Sequence, residues 1–177
     1  MTEKIILAGG CFWCTEAVFS LLEGINKITP GYIGGNTDNP TYKEVCKGDT
    51  NHAEAIEIVY DPKIVSTLDI LHVFFATHDP TTLNRQGADK GTQYRSAIFY
   101  VNEAQKEKAK SYIDHLTKNE VYDNPIVTEL VPATKFYKAE EEHKNYYAHN
   151  PSQAFCSMVI APKLKKVHQL FAEKVKS

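Results

Sequence analysis

Two adjacent glycines, Gly9 and Gly10, separate a short apolar run from an apolar segment with helical spacing. Residues 5–8 before them predict a buried strand, and residues 17–22 after them predict a helix. A tight strand-to-helix turn orients both elements, so no other local feature constrains the fold as strongly. Cys11 then lies at or just before the helix N-terminus, where free N–H groups and the helix dipole favour a thiolate. The pattern therefore predicts that Cys11 is a reactive nucleophile.

A structural role for Cys11 is the competing interpretation, because a free cysteine often packs as a small apolar side chain. Trp13, the only tryptophan, is equally suited to anchor a core. The glycine turn, the helix start and a second thiol at Cys14 together favour the functional interpretation. Phe12 and Trp13 then form an aromatic floor beside the nucleophile.

Composition and charge limit the classes of function. A chain of 177 residues, 42% hydrophobic and 24% charged, is typical of a globular protein, and we expect residues 1–177 to form a single domain. The net charge of −2 gives no electrostatic basis for binding nucleic acid or an anionic membrane. No apolar run is long enough to span a membrane, and no signal peptide is evident. We therefore expect a cytoplasmic protein with no nucleic-acid or membrane partner.

The four cysteines favour thiol chemistry or metal binding, because cytosolic proteins seldom carry a static disulfide framework. A zinc site needs a second close ligand pair, and Cys46 and Cys156 each stand alone. Two aromatic residues inside Cys11-x-x-Cys14 also fit a zinc knuckle poorly. We prefer thiol chemistry and expect no metal. A zinc-bound interaction module and a thioredoxin-like disulfide oxidoreductase remain alternatives.

A strand over residues 52–60 presents a carboxyl group on its apolar face. The alternation places Glu54 with Ile56 and Ile58. Such a group is rarely buried unless it is paired or protonated. Glu54 is therefore either a strand-end glutamate that reaches water or a buried acid with a raised pKa, able to donate a proton near neutral pH.

The order of elements predicts an α+β fold. Strands and helices alternate, but the strands have one buried face, which favours an antiparallel or mixed sheet with helices on it over a doubly wound parallel sheet. Residues 78–93 predict a long polar loop that carries Asp89. Further helices are predicted over residues 68–77, 102–119 and from 163 onward, and further strands over residues 94–101 and 126–131.

The side chains around Cys11 suit a sulfoxide better than other electrophiles. A carbonyl calls for a histidine base and an oxyanion hole, and a disulfide needs neither an acid nor an aromatic pocket. A sulfoxide needs a proton donor for its oxygen and an apolar surface for its methyl group. Its oxygen is left on the enzyme as a sulfenic acid, which a second thiol converts to a disulfide.

Gly10-Cys11-Phe12-Trp13 followed by Glu16 resembles the active-site motif of the peptide methionine sulfoxide reductase A family. The resemblance covers about residues 4–160. It continues through residues 31–35, 40–42, 52–55, 79–81, 83–87, 89, 91–96 and 136–140. It implies a two-layer α/β sandwich on a ferredoxin-like core.

The resemblance also implies the catalytic roles. Cys11 attacks the sulfoxide sulfur, and Glu54 protonates the oxygen with help from the hydroxyls of Tyr42 and Tyr94. The implied reaction reduces the S-sulfoxide of methionine, free or in proteins, and so repairs oxidised proteins.

The remaining implied features concern binding and partners. Phe12 and Trp13 hold the methyl group, Asp89 helps position the substrate, and His143 gives structural support. Thioredoxin is the implied reductant. No metal or organic cofactor is implied, and we expect a monomer.

The identity of the resolving thiol stays open between Cys156 and Cys14. Many family members carry glycine at position 14 and resolve with a cysteine near the C-terminus, so Cys156 is the first candidate. Residues 152–156 predict an irregular, mobile segment that can reach Cys11. Cys14 is one helical turn from Cys11 and needs that turn to loosen before disulfide geometry is met. Cys46 is expected to be buried and inert.

Overall fold

The computed structural model describes residues 1–176. Its strands are β1 (Glu3–Gly9), β2 (Ile25–Ile33), β3 (Ala53–Tyr60), β4 (Arg85–Gln86), β5 (Asp89–Lys90), β6 (Ser96–Tyr100), β7 (Glu129–Pro132) and β8 (Tyr137–Lys138). Its helices are α1 (Phe12–Phe19), α2 (Tyr42–Cys46), α3 (Thr67–Thr77), α4 (Glu103–Lys118), α5 (Tyr146–His149) and α6 (Ala161–Leu170). A π-helical turn at Cys156–Ile160 precedes α6, and 3₁₀ turns lie at Thr92–Tyr94, Glu141–His143 and Ala172–Lys174.

Six strands form one mixed sheet in the order β7-β6-β1-β3-β2-β8. Neighbouring strands are antiparallel except β6 and β7, which are parallel. The four central strands, with α1 between β1 and β2 and α3 between β3 and β6, have the β-α-β-β-α-β order of a ferredoxin-like core. The predicted α+β class is confirmed, and so is the mixed sheet.

The main core lies between one face of the sheet and the helices. Alternate residues of β1, such as Ile5 and Leu7, pack there with apolar side chains of α1, α3, α4 and α6. The intervening residues, such as Ile6 and Ala8, join a smaller cluster on the opposite face. The helices therefore form one layer and the sheet the other.

Several elements differ from their predicted bounds. Residues 78–93 are not a structureless loop, because β4 and β5 pair as a short hairpin that carries Asp89. Tyr94 ends a 3₁₀ turn, and the strand predicted from there begins at Ser96. The final helix begins at Ala161, earlier than predicted, with a proline in its first turn.

Gly10 makes the predicted turn between β1 and α1 with a φ of +97°, which L side chains rarely adopt. A Cβ at this position would also lie 2.7 Å from Cγ of Gln86. We expect Gly10→Ala to lower the free energy of unfolding by about 2 kcal/mol in urea denaturation. Gly87→Ala is the matched control, because φ is +60° there but a Cβ would meet no described atom within 4 Å. An equal loss in both variants would contradict the steric contribution.

Candidate active site

Cys11 immediately precedes α1, as the sequence predicts, and is 7% exposed. Its position at the start of the helix is not sufficient to keep the thiol ionised. Burial, a hydrogen bond with the Cys14 thiol and the nearby carboxyl of Glu54 raise the pKa of Cys11 well above its ordinary value. The backbone N–H of Trp13, in the first turn of α1, lowers the pKa of Cys11 as the helix start predicts, but the raising effects outweigh it.

Cys14 carries the more acidic thiol of the pair. The hydrogen bond from Cys11 lowers the pKa of Cys14, and the positive charge of Lys163 lowers it further against the opposing effect of burial. Lys163 lies in α6 and donates a hydrogen bond from Nζ to the carbonyl of Thr77 at 2.8 Å. A negative charge in this pair is therefore more stable on Cys14 than on Cys11.

Glu54 lies on the helix-facing side of β3 and is 1% exposed, so it does not reach water. Its Oε1 accepts a hydrogen bond from the backbone N–H of Phe12 at 3.1 Å. Its Oε2 is buried and has no hydrogen-bond partner among residues 1–176. Burial raises the pKa of Glu54 to about 8, which leaves the carboxyl largely protonated at neutral pH. Of the two interpretations of Glu54, the structure supports the buried acid.

Two phenols and one further carboxyl face the same region. Burial is the main cause that raises the pKa of Tyr42 and of Tyr94, and Glu54 contributes to both. Both phenols therefore stay neutral and able to donate a hydrogen bond. Asp89 is half-buried, and burial raises the pKa of its carboxyl while Lys163 opposes that effect.

Trp13 is held by contacts on several sides. Its Nε1–H donates a hydrogen bond to Nδ1 of His143 at 3.1 Å. This contact agrees with the structural role predicted for His143. The ring of Tyr146 lies parallel to it, with 3.8 Å between the ring centroids, and Phe155 meets it edge-on at 5.9 Å. Phe12 is buried against Tyr42 with ring centroids 6.2 Å apart. The two predicted methyl-binding residues thus belong to one aromatic assembly.

Three of the four thiols lie in one apolar cluster. Cys156 is fully buried and packs with Cys11 and Cys14 there. It begins the π-helical turn before α6, so the prediction of an irregular segment at Cys156 is wrong. Cys46 ends α2 and is exposed, so its predicted burial is also wrong. All four thiols are free in the structure.

Three buried or half-buried charged residues were missed by sequence reasoning. Glu140 accepts hydrogen bonds from the hydroxyl of Tyr32 and the backbone N–H of Tyr42, both at 2.8 Å, and so holds the start of α2. Glu16 is 3% exposed inside α1. Glu140 and Glu16 lie in the motifs that carry the family resemblance, and these motifs are the sequence signal that could have identified them. Nothing in the sequence distinguishes Lys163 from the other lysines of α6.

The described part of the chain contains no group of three histidine, cysteine, aspartate or glutamate side chains arranged to hold a metal ion. Within residues 1–176, the helices are also too short or too polar to cross a bilayer.

Comparisons with known proteins agree with the site. A sequence model of the family described as peptide methionine sulfoxide reductase matches residues 3–175. A peptide methionine sulfoxide reductase MsrA of Chromobacterium violaceum is 53% identical over 170 residues, which cover 96% of this chain and 97% of that protein.

Solved structures show the same relationship. The reduced form of Mxr1 from Saccharomyces cerevisiae superposes with a TM-score of 0.82 at 38% identity, covering 88% of this chain and 89% of that one. A structure of Mxr1 in complex with Trx2 matches with a TM-score of 0.58 at 25% identity, covering 82% and 84% of the two chains. The matches leave no support for a zinc module or a thioredoxin-like protein, and the chain belongs to the peptide methionine sulfoxide reductase family, whose members reduce methionine sulfoxide.

Proposed function

We propose that the chain reduces the S-sulfoxide of methionine, free or in proteins, with Cys11 as nucleophile and Glu54 as proton donor. The observation that carries this proposal is the unpartnered, buried Oε2 of a largely protonated Glu54, whose Oε1 binds the N–H next to Cys11. A buried acid with a free oxygen suits a substrate oxygen that needs a proton as the reaction proceeds.

The first step transfers oxygen from the substrate to Cys11. Cys14, the more acidic thiol, ionises first; its thiolate then accepts the proton of the Cys11 thiol as the sulfur of Cys11 attacks the sulfoxide sulfur. Glu54 gives its proton to the sulfoxide oxygen. The sulfur–oxygen bond of the substrate breaks, methionine leaves, and Cys11 keeps the oxygen as a sulfenic acid.

The second step forms a disulfide and releases water. We propose Cys14 as the thiol that attacks the Cys11 sulfenic acid, because it is only three positions away, each thiol shifts the pKa of the other, and Cys11 itself lies outside the helix. Cys156, in the same apolar cluster, is the alternative. A dithiol reductant then exchanges with the disulfide and restores both thiols.

Binding and recycling roles complete the proposal. The hydroxyls of Tyr42 and Tyr94 bind the sulfoxide oxygen, Phe12 and Trp13 contact the methyl group, and Asp89 positions the substrate. Thioredoxin is the proposed reductant, by analogy with the yeast Mxr1–Trx2 complex. We further propose a cytoplasmic, monomeric, single-domain enzyme that repairs oxidised proteins and needs no cofactor.

A single exposure of the reduced protein to methionine sulfoxide without reductant tests this function. We expect one or two methionines per enzyme and a disulfide between Cys11 and Cys14, mapped by mass spectrometry. A Cys11–Cys156 disulfide would support the alternative resolving thiol. Formation of neither methionine nor a disulfide would contradict the proposal, and reduction of insulin disulfides under the same conditions would favour a thioredoxin-like activity.

The two phenols provide a second test. Because each proposed hydrogen bond to the sulfoxide oxygen is worth about 1 kcal/mol, we expect Tyr42→Phe and Tyr94→Phe each to lower kcat/KM by about 5- to 10-fold. Tyr100→Phe, at the far end of β6 from Tyr94, is the control and should retain full activity. Unchanged kcat/KM in the Tyr42 and Tyr94 variants would remove the phenols from the mechanism.

A further inference from the structure

Glu16 is a buried carboxyl that none of the proposed chemical steps uses. It lies in α1 one turn after Trp13, and 3% of its surface is exposed. Its Oε1 accepts a hydrogen bond from the backbone N–H of Asn145 at 2.8 Å, although the two residues are 129 positions apart. The backbone N–H of Tyr146 also stabilises the carboxylate. Glu16 therefore anchors the start of α5 to α1.

The anchored segment is the one that places an aromatic ring on Trp13. Asn145 has a φ of +54°, so the chain turns sharply there before α5 begins at Tyr146. The rings of Tyr146 and Trp13 are 3.8 Å apart between centroids and only 6° from parallel. Residues 145 and 146 are thus attached to α1 twice, once by the Glu16 hydrogen bonds and once by stacking.

The position of Tyr146 limits how a substrate can use Trp13. A ring stacked at 3.8 Å fills that face of the indole, so a methyl group has access only to the indole surface that Tyr146, Phe155 and His143 leave uncovered. The hydrogen bond to His143 fixes the indole in its own plane. If Tyr146 moved away, the face of the indole that it covers would become accessible, and the methyl group would no longer have a single binding position on Trp13.

We propose that Glu16 is a positioning residue for substrate binding: it holds Tyr146 against Trp13, so that one face of the indole receives the methyl group of the sulfoxide. This inference rests on the proposed role of Trp13 in binding that methyl group. Glu16 acts through Tyr146 and does not contact the substrate.

The charges around Glu16 make the anchor sensitive to pH. Burial raises the pKa of Glu16 to about 7, while the N–H groups of Asn145 and Tyr146 and the charge of Lys144 oppose this effect. Lys27 of β2 and Lys176 of the C-terminal segment line the same cleft. Because an ionised carboxylate accepts a stronger hydrogen bond than a neutral one, the anchor tightens as the pH rises through 7.

Two variants and one control test the inference. Glu16→Met removes the acceptor at similar volume, and we expect KM for methionine sulfoxide to rise about 10-fold with kcat changed less than 2-fold. Glu16→Gln keeps one neutral acceptor, and we expect KM to rise about 3-fold. Glu23→Met, at an exposed position after α1, is the matched control and should leave KM unchanged.

Fluorescence of Trp13 gives a readout independent of activity, because Trp13 is the only tryptophan. We expect its emission to titrate near pH 7 in the wild-type protein and to lose that transition in Glu16→Gln. Burial lowers the pKa of His143, the other titratable group on the indole. The change in emission caused by titration of His143 should therefore appear at a lower pH than that of Glu16 and persist in both proteins.

A double-mutant cycle with Tyr146→Ala decides whether Glu16 acts through Tyr146. We expect the KM of Glu16→Gln/Tyr146→Ala to equal that of Tyr146→Ala alone. The inference would be overturned if the effects of Glu16→Gln and Tyr146→Ala on KM were additive. It would also be overturned if Glu16→Gln left both KM and Trp13 emission unchanged, or lowered kcat at constant KM. If the wild-type protein itself did not reduce methionine sulfoxide, the result would count against the proposed function and not against the role of Glu16. If Glu16→Met fails to fold, Glu16→Gln alone decides.

Discussion

Replacing Cys11 by serine is expected to abolish the reduction of methionine sulfoxide, lowering kcat/KM by at least about 1000-fold. A serine hydroxyl does not ionise in the accessible pH range and cannot be left with the oxygen as a stable sulfenic acid. The variant should keep its fold, because the side chain is nearly isosteric and the turn at Gly10 is unchanged. Methionine formed per enzyme in a single turnover, quantified by chromatography, is the measurement.

The other cysteines provide graded controls for this result. Cys46→Ser changes an exposed thiol and should retain full activity. Cys14→Ser should still form methionine once but accumulate a sulfenic acid, which dimedone traps. Sustained conversion at the wild-type rate by Cys11→Ser would refute the nucleophile assignment, whatever the behaviour of Cys14 or Cys156.

Glu54→Gln is expected to lower kcat/KM by about 100- to 10 000-fold, the range typical of general-acid catalysis. The amide can still accept the hydrogen bond from the N–H of Phe12, so the local geometry is retained. It has no proton to give to the sulfoxide oxygen. Stopped-flow measurement of the first methionine formed separates this step from recycling, and the inflection near pH 8 in the wild-type profile should disappear in the variant.

The same substitution makes a separate prediction about stability. The pKa of Glu54 is raised from 4.5 to about 8 by folding, so the native state binds more protons than the unfolded state between these values. The contribution of Glu54 to stability is complete below pH 4.5 and is lost as the pH rises through 8. Relative to the Tm of Glu54→Gln, the Tm of the wild-type protein should fall progressively as the pH rises from 4.5 to 8. A constant difference in Tm would show that Glu54 is not buried as a neutral acid.

Local sequence determined the framework on which the site is built. The apolar run, the two glycines and the helical spacing after Cys11 predict β1, the turn and α1, because these depend on residues close together in the chain. Strict alternation in β3 predicts that Glu54 lies on the same face as Ile56 and Ile58. The family motifs extend this prediction to the choice of site residues, but they do not give the environment of each.

Hairpin and helix content was harder to predict where the local signal is weak. The two-residue strands β4 and β5 are too short for any periodicity to appear. Cys156, Ile160 and Leu164 recur every four residues and share one apolar cluster, so a helical pattern is present there, although the segment is predicted to be irregular. Cys46 follows a buried valine but ends its helix on the outside.

The chemical state of the site was decided by tertiary structure alone. The pKa of Cys11 is raised mainly by desolvation and also by Glu54, which lies 43 positions away, and these effects outweigh the backbone N–H of Trp13 at the helix start. The free Oε2 of Glu54 and the stacking of Tyr146 on Trp13 likewise arise where distant segments meet. Local sequence sets which groups are present and which way they point, whereas a pKa follows from how much water and charge the rest of the fold leaves around them.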